Sequence, residues 1–188
     1  MDWLSILSPL ELLKAIISWF KRPKIEVTFR HAPGQQENEF CHLRTNPQFG
    51  SKSWFFRLKV NNVRRDTAEM ADVRVEKIEE EVSGEFKELS ISPFFLHWAN
   101  EQGDNSRNLH HDTPVFVDVV YTVEDVQEFF VFHKPKHAGA GIPSRLSPGK
   151  YKFTVKILAP NIRPPVKKTL LIAFDGNWEA LSLELRNG

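Results

Sequence analysis

From Lys24 onward, apolar residues recur at every second position, the signature of strands with one buried face. Ile25, Val27 and Phe29 alternate with charged or polar neighbours and predict a first strand. In W-F-F-R-L-K-V-N-N, residues 54–62, Trp54, Phe56, Leu58 and Val60 fall on one face and Arg57, Lys59 and Asn61 on the other. Val73 and Val75 continue this pattern. Ile78 is out of phase with them, which predicts a bulge or a strand end near Lys77. Residues 93–98, P-F-F-L-H-W, predict a short apolar strand that Pro93 places at a start or an edge. Val115, Val117, Val119, Tyr121 and Val123 give the cleanest alternation, and residues 127–133 carry aromatics on both faces. Tyr151, Phe153, Val155 and Ile157 are expected inward, with Lys150, Lys152, Thr154 and Lys156 outward. Leu170, Ile172 and Phe174, then Leu181, Leu183 and Leu185, complete the set. The stretches 32–50, 101–111 and 134–149 are turn-rich or polar and read as connections, and the acidic run Glu79–Glu81 reads as a solvated strand end.

About eight or nine strands with turn signals between them, and no strand–helix–strand spacing, predict a mostly β chain folded as a two-sheet antiparallel sandwich.

Before Pro23 the period changes. Residues 3–20 read W-L-S-I-L-S-P-L-E-L-L-K-A-I-I-S-W-F. At 100° per residue, Glu11, Lys14, Ser18, Lys21 and Arg22 share one side, and Ile6, Leu10, Leu13, Ile16, Ile17 and Phe20 the other. Ser8 is placed to cap a helix whose first residue is Pro9, with Glu11 completing a capping box. Lys21 and Arg22 suit the negative end of the helix dipole, and Trp3 and Trp19 suit a membrane interface. The expectation is one N-terminal amphipathic helix over residues 1–22, ahead of a sandwich domain over 23–188. Its contact residues with a membrane surface or a partner are Trp3, Ile6, Leu10, Leu13, Ile16, Ile17, Trp19, Phe20, Lys21 and Arg22. A signal peptide fits less well, because the positive charge follows the apolar run rather than preceding it. A transmembrane span has to bury Glu11 and Lys14, at roughly 2.5–3.5 kcal/mol each.

The formal net charge of +1 over 188 residues is not that of a general nucleic-acid binder, and no nucleic-acid partner is expected. The single cysteine, Cys41, rules out an intrachain disulfide and points to a reducing compartment; the expected location is the cytoplasm, at the inner face of the cell membrane if residues 3–20 contact it.

The runs F-R-L-K-V-N-N, A-D-V-R-V, P-F-F-L-H-W-A and L-S-P-G-K-Y-K-F-T-V together resemble a group of uncharacterised bacterial immunoglobulin-like sandwich proteins. The first half is also similar to CARDB-type adhesion modules. Such proteins often carry a hydrophobic N-terminal segment ending in a basic cluster with proline, as F-K-R-P-K does here. The resemblance covers most of residues 24–185. It implies an immunoglobulin-like sandwich and carries over no catalytic or binding residue.

The chemistry-bearing residues form no catalytic signature. His110, His111, His133 and His137 are the metal-ligand candidates, with His97 and Asp112 near them in sequence and the Cys41–His42 pair upstream. His133 and His137 have an acceptable interval for zinc, but Lys134, Pro135 and Lys136 between them read as a strand exit rather than a helix. No nucleophile elbow is present, and G-A-G at 139–141 lacks the lysine and helix of a phosphate loop. Asn61, Asn62, Arg64 and Arg65 read as a polar hairpin end. The expected function is therefore a non-catalytic interaction module without a cofactor, tethered to a membrane surface, a protein partner or a homo-oligomer by its helix. A histidine-based metal protein or hydrolase stands as an alternative, as does a ligand- or carbohydrate-binding sandwich using Trp98 and Trp178. Phe55, Phe116, Phe130 and Phe132 lie opposite the core phase. On one shared face they would make an apolar patch suited to a partner.

Overall fold

The computed structural model describes residues 8–13, 22–31, 37–45, 50–100, 105–134 and 141–187. Two antiparallel sheets pack as a sandwich around one apolar core. The first sheet runs β1 (Ile25–Thr28), β3 (Lys52–Asn62), β9 (Val115–Val123), β10 (Phe129–Val131) and β11 (Arg145–Leu146). In the same sheet β2 (Cys41–Thr45) pairs with β3 and β7 (His97–Trp98) with β9. The second sheet runs β14 (Ser182–Asn187), β13 (Val166–Phe174), β12 (Gly149–Leu158), β4 (Ala68–Val82) and β5 (Glu85–Glu88). Here β6 (Phe94–Phe95) and β8 (Arg107–Leu109) also pair with β4.

The alternating residues form these strands because each sheet has one dry face. Phe56, Leu58 and Val60 of β3 and Val117 of β9 are buried, as are Val73, Val75 and Ile78 of β4 and Phe153, Val155 and Ile157 of β12. Two register shifts keep the apolar faces inward. Lys77 opposes Thr154 while Val75 opposes Val155, so Glu76 is an extra residue that returns Ile78 to the core. Likewise Phe56 opposes Val120 while Arg57 opposes Asp118, and both Val119 and Val120 are buried.

The run 93–98 is not one strand but a crossing between layers. Phe94–Phe95 pair with β4 and His97–Trp98 with β9, and between them the Leu96 amide donates to Val73 O. Trp98 thereby enters the core. The connections at 32–50, 101–111 and 134–149 each hold a short strand, β2, β8 and β11. Glu79 is buried within β4 rather than solvated at its end.

Asn62 joins the two layers at one corner. Its Nδ2 donates to Asp66 O at 2.6 Å and Leu109 O at 3.0 Å, and its Oδ1 accepts from the Lys24 and Arg64 amides, each at 3.2 Å. All of its hydrogen-bonding capacity faces inward, which accounts for a buried amide in the link from β3 to β4; that link crosses between the sheets and is not the hairpin end expected from Asn61, Asn62, Arg64 and Arg65.

Residues 9–13 are helical. The Ser8 amide donates to Glu11 Oε2 at 2.9 Å and the Glu11 amide to Ser8 Oγ at 3.3 Å, the reciprocal capping box that Ser8 and Glu11 predict. Trp3, Ile6, Ile16, Ile17, Trp19, Phe20 and Lys21 lie outside the described residues. Among the described residues no helix is long and apolar enough to cross a membrane.

Candidate interaction surface

The outer face of the first sheet carries aromatic side chains where a solvated sheet would carry polar ones. Phe55, Tyr121, Phe130 and Arg145 are direct register partners on β3, β9, β10 and β11. Their side chains therefore form one row across the strands. The Phe55 and Tyr121 rings stack at 5.4 Å and 10°, and Tyr121 and Phe130 at 4.7 Å and 13°. Arginines close both ends: Arg44 of β2 lies 5.0 Å from the Phe55 centroid, and Arg145 lies 5.8 Å from that of Phe130. Phe132 leans on the row, 4.8 Å from Tyr121 and 5.7 Å from Phe55. Such contacts add about 0.5–1.5 kcal/mol per aromatic pair beyond area burial. Burial pushes the Tyr121 phenol above its usual range. Of the four phenylalanines expected opposite the core phase, Phe55, Phe130 and Phe132 share this ring cluster, Phe116 stands apart opposite Lys59, and Tyr121, assigned by phase to the core, is the centre.

Beside this row lies a second one, of charge. Arg57 opposes Asp118, which opposes His97 on β7. Arg57 Nε donates to Asp118 Oδ1 at 2.7 Å, and the residues are only 4% and 7% exposed although both project from the outer face. Burial pushes the Asp118 carboxyl above its ordinary range, against the pull of Arg57, Arg44 and His97. Arg57 Nη2 is buried without a hydrogen-bond partner among the described residues. Arg44 Nη2 donates to Asn100 Oδ1 at 3.2 Å and so ties β2 to the turn after β7, across β3 and β9. Asn100 takes a positive φ of 65°, which asparagine tolerates better than most residues.

A second buried ion pair clasps the far end of β10. Lys134, 1% exposed, donates from Nζ to Asp72 Oδ1 at 2.6 Å and to Asn105 O at 3.2 Å, while Ser106 Oγ donates to Asp72 Oδ2 at 2.6 Å. The clasp fastens β4, the segment before β8 and the chain after β10.

The metal candidates among the described residues do not converge. His110 Nδ1 lies 3.2 Å from Thr67 Oγ1, His111 pairs with Asp112 at 3.1 Å, and His133 packs edge-on against Phe94. His137 lies outside the described residues. Among the described residues no three His, Cys, Asp or Glu side chains are grouped to hold a metal ion. Cys41 is buried, and burial pushes its thiol up to about 12, so it stays protonated at neutral pH. Trp98 belongs to the core, and the Trp178 carbonyl accepts from Thr122 Oγ1 at 2.6 Å.

The basic residues of β12 face acidic ones. Lys150 pairs with Glu81 at 2.9 Å, Lys152 with Glu79 at 2.8 Å and Lys156 with Glu76 at 3.3 Å. This face is neutralised from within and makes no basic stripe.

On the helical turn, the predicted contact residues Leu10 and Leu13 are 61% and 53% exposed, and Leu12 is 47% exposed. Arg22, predicted with them, is also exposed, and its carbonyl accepts from Arg64 Nη1 at 3.3 Å. No protein-family model, curated protein or solved structure matches the chain.

Proposed function

We propose that the protein is a non-catalytic interaction module, a sandwich tethered by residues 1–22 to a membrane surface or within an oligomer. The observation that carries this reading is the exposure of Leu10, Leu12 and Leu13 on a capped helical turn. Three leucines on one turn leave apolar area in water, and burying such area is worth about 25 cal/mol per Å². A membrane interface or another apolar helix supplies that burial. The ring-and-arginine row on the first sheet adds an aromatic surface of the kind enriched at protein interfaces. The immunoglobulin-like and CARDB-like resemblance agrees with a binding role, since such sandwiches present surfaces rather than reaction centres. The single cysteine supports a reducing, cytoplasmic compartment for this module.

Liposome flotation and molecular mass, measured on the full chain and on a chain beginning at Pro23, test the reading. The expected result is that only the full chain floats, or that only the full chain exceeds monomer mass. Identical flotation and identical mass for the two would overturn it.

A further inference from the structure

Edge strands expose unpaired backbone groups, and sheets commonly blunt them by keeping them short. Most edges of this sandwich follow that rule. The edge of β4 opposite β12 is divided among β8, β6 and β5, and β11 at the end of the first sheet is two residues long. β14 is different. It spans six residues, S-L-E-L-R-N, pairs on one side with β13, and has no strand on its other side among the described residues. It contains no proline and no inward-facing charge: Leu183 is buried and Leu185 packs against the core, while Glu184 and Arg186 point outward.

We infer that β14 pairs antiparallel with β14 of a second copy, about a two-fold axis through Leu185. Of the two leucine-centred registers, this one alone pairs the charges, since centring on Leu183 sets Glu184 opposite Ser182. With Leu185 opposite Leu185, Glu184 of each copy stands opposite Arg186 of the other, on the outer face. The two Leu185 side chains then meet on the inner face and extend the core across the junction. Centring the pair on Glu184 or on Arg186 sets like charges opposite each other, which destabilises cross-strand pairs. A one-residue slip sets Glu184 opposite Leu185 and turns the apolar face outward. Parallel pairing in register again opposes like charges. Within one chain Arg186 Nε already donates to Glu184 Oε1 at 2.8 Å, and that contact holds the Glu184 carboxyl below its usual range. Both charges are thus present, on one face and in reach of a partner strand. The arrangement is isologous, so it closes as a dimer rather than growing into a fibre.

An edge of six residues is smaller than the roughly 800 Å² per partner of a standard interface, so the dimer is expected to be weak, with a dissociation constant of about micromolar to millimolar. Sedimentation of the full chain across that concentration range tests it, alongside Glu184→Arg, Arg186→Glu and the double exchange. Wild type should dimerise, each single reversal should weaken the dimer at least about tenfold, and the double exchange should restore it. All four should melt at similar temperatures, because the side chains are exposed. A wild-type protein that stays monomeric up to about 1 mM overturns the inference, as does a dimer that ignores the single reversals or is not rescued by the exchange. A dimer abolished by Leu10→Glu yet indifferent to the β14 reversals assigns association to the helix instead, and equally overturns the edge pairing.

Discussion

The two sheets share a core yet treat their outer faces differently. On the second sheet the outer face is a lattice of opposite charges: Lys152 meets Glu79, Lys77 bridges Glu79 and Glu88, and Arg74 and Lys156 share Glu76. Glu79 apart, each ion is partly wet, and each has a partner one strand or one pleat away. On the first sheet the corresponding positions hold a row of stacked rings and, beside it, an ion pair withdrawn from solvent. The difference teaches that strand phase fixes which way a side chain points, while its neighbours decide whether it meets water. Arg57 and Lys152 both face outward; Arg57 is buried and Lys152 is not.

The largest effect is expected where that contrast is sharpest. Asp118→Ala leaves the buried Arg57 Nε–H without its acceptor, which a protonated Asp118 still supplies, and should cost about 3–5 kcal/mol in urea unfolding. Replacing both partners, Arg57→Met with Asp118→Leu, should recover most of the loss. If the double variant is no better than the single one, the pair is not the isolated unit described above. Next in size, Tyr121→Ala removes the centre of the ring row and should cost about 2–4 kcal/mol. A double-mutant cycle with Phe55→Ala should show coupling of about 0.5–1.5 kcal/mol; zero coupling would mean that the stacking is incidental. On the second sheet Lys152→Met should cost less than about 1 kcal/mol, because the ion pair is partly solvated and Glu79 keeps Lys77.

Acid titration should move the two faces in opposite directions. Asp118 has a raised folded pKa, so its contribution is full below the ordinary carboxylate range and is lost as pH rises through the folded value. Burial opposes ionisation of Glu79, yet Lys152 and Lys77 hold its carboxyl below the ordinary range. Its contribution is therefore present above that range and is lost as pH falls through the folded value. As the solution is acidified, wild type should gain stability relative to Asp118→Asn and lose it relative to Glu79→Gln. Parallel curves for the two variants would erase the electrostatic part of the comparison. The smallest perturbation is chemical: a thiol reagent at neutral pH should leave Cys41 unlabelled in the folded protein and label it on unfolding.

Much of the fold was legible because burial and strand period coincide. The inward rows of β3, β4, β12 and β13 follow the alternation, and the phase error at Ile78 marks a real bulge at Glu76. Strands of two or three residues carry too few positions for a period to register, so β8 and β11 were hidden within stretches read as connections. The break between β6 and β7 was hidden because an apolar run looks alike whether it stays in one layer or crosses between two. At the interaction surface, the misphased Phe55, Phe130 and Phe132 were readable as outward aromatics. Tyr121 was not, since the bulge at Val119–Val120 that turns it outward leaves no mark in a run of β-branched residues. The burial of Arg57 was equally invisible, because it depends on Asp118, 61 residues away.

The central claim is that the apolar side of the N-terminal turn faces outward to be covered by something other than its own sandwich. The most direct measurement uses the inertness of Cys41. Leu13→Cys introduces one reactive thiol, which an environment-sensitive fluorophore then labels alone. The account predicts a blue-shifted emission when anionic vesicles are added, or as protein concentration rises toward self-association. Emission that stays at its dilute, vesicle-free value under both conditions would contradict it.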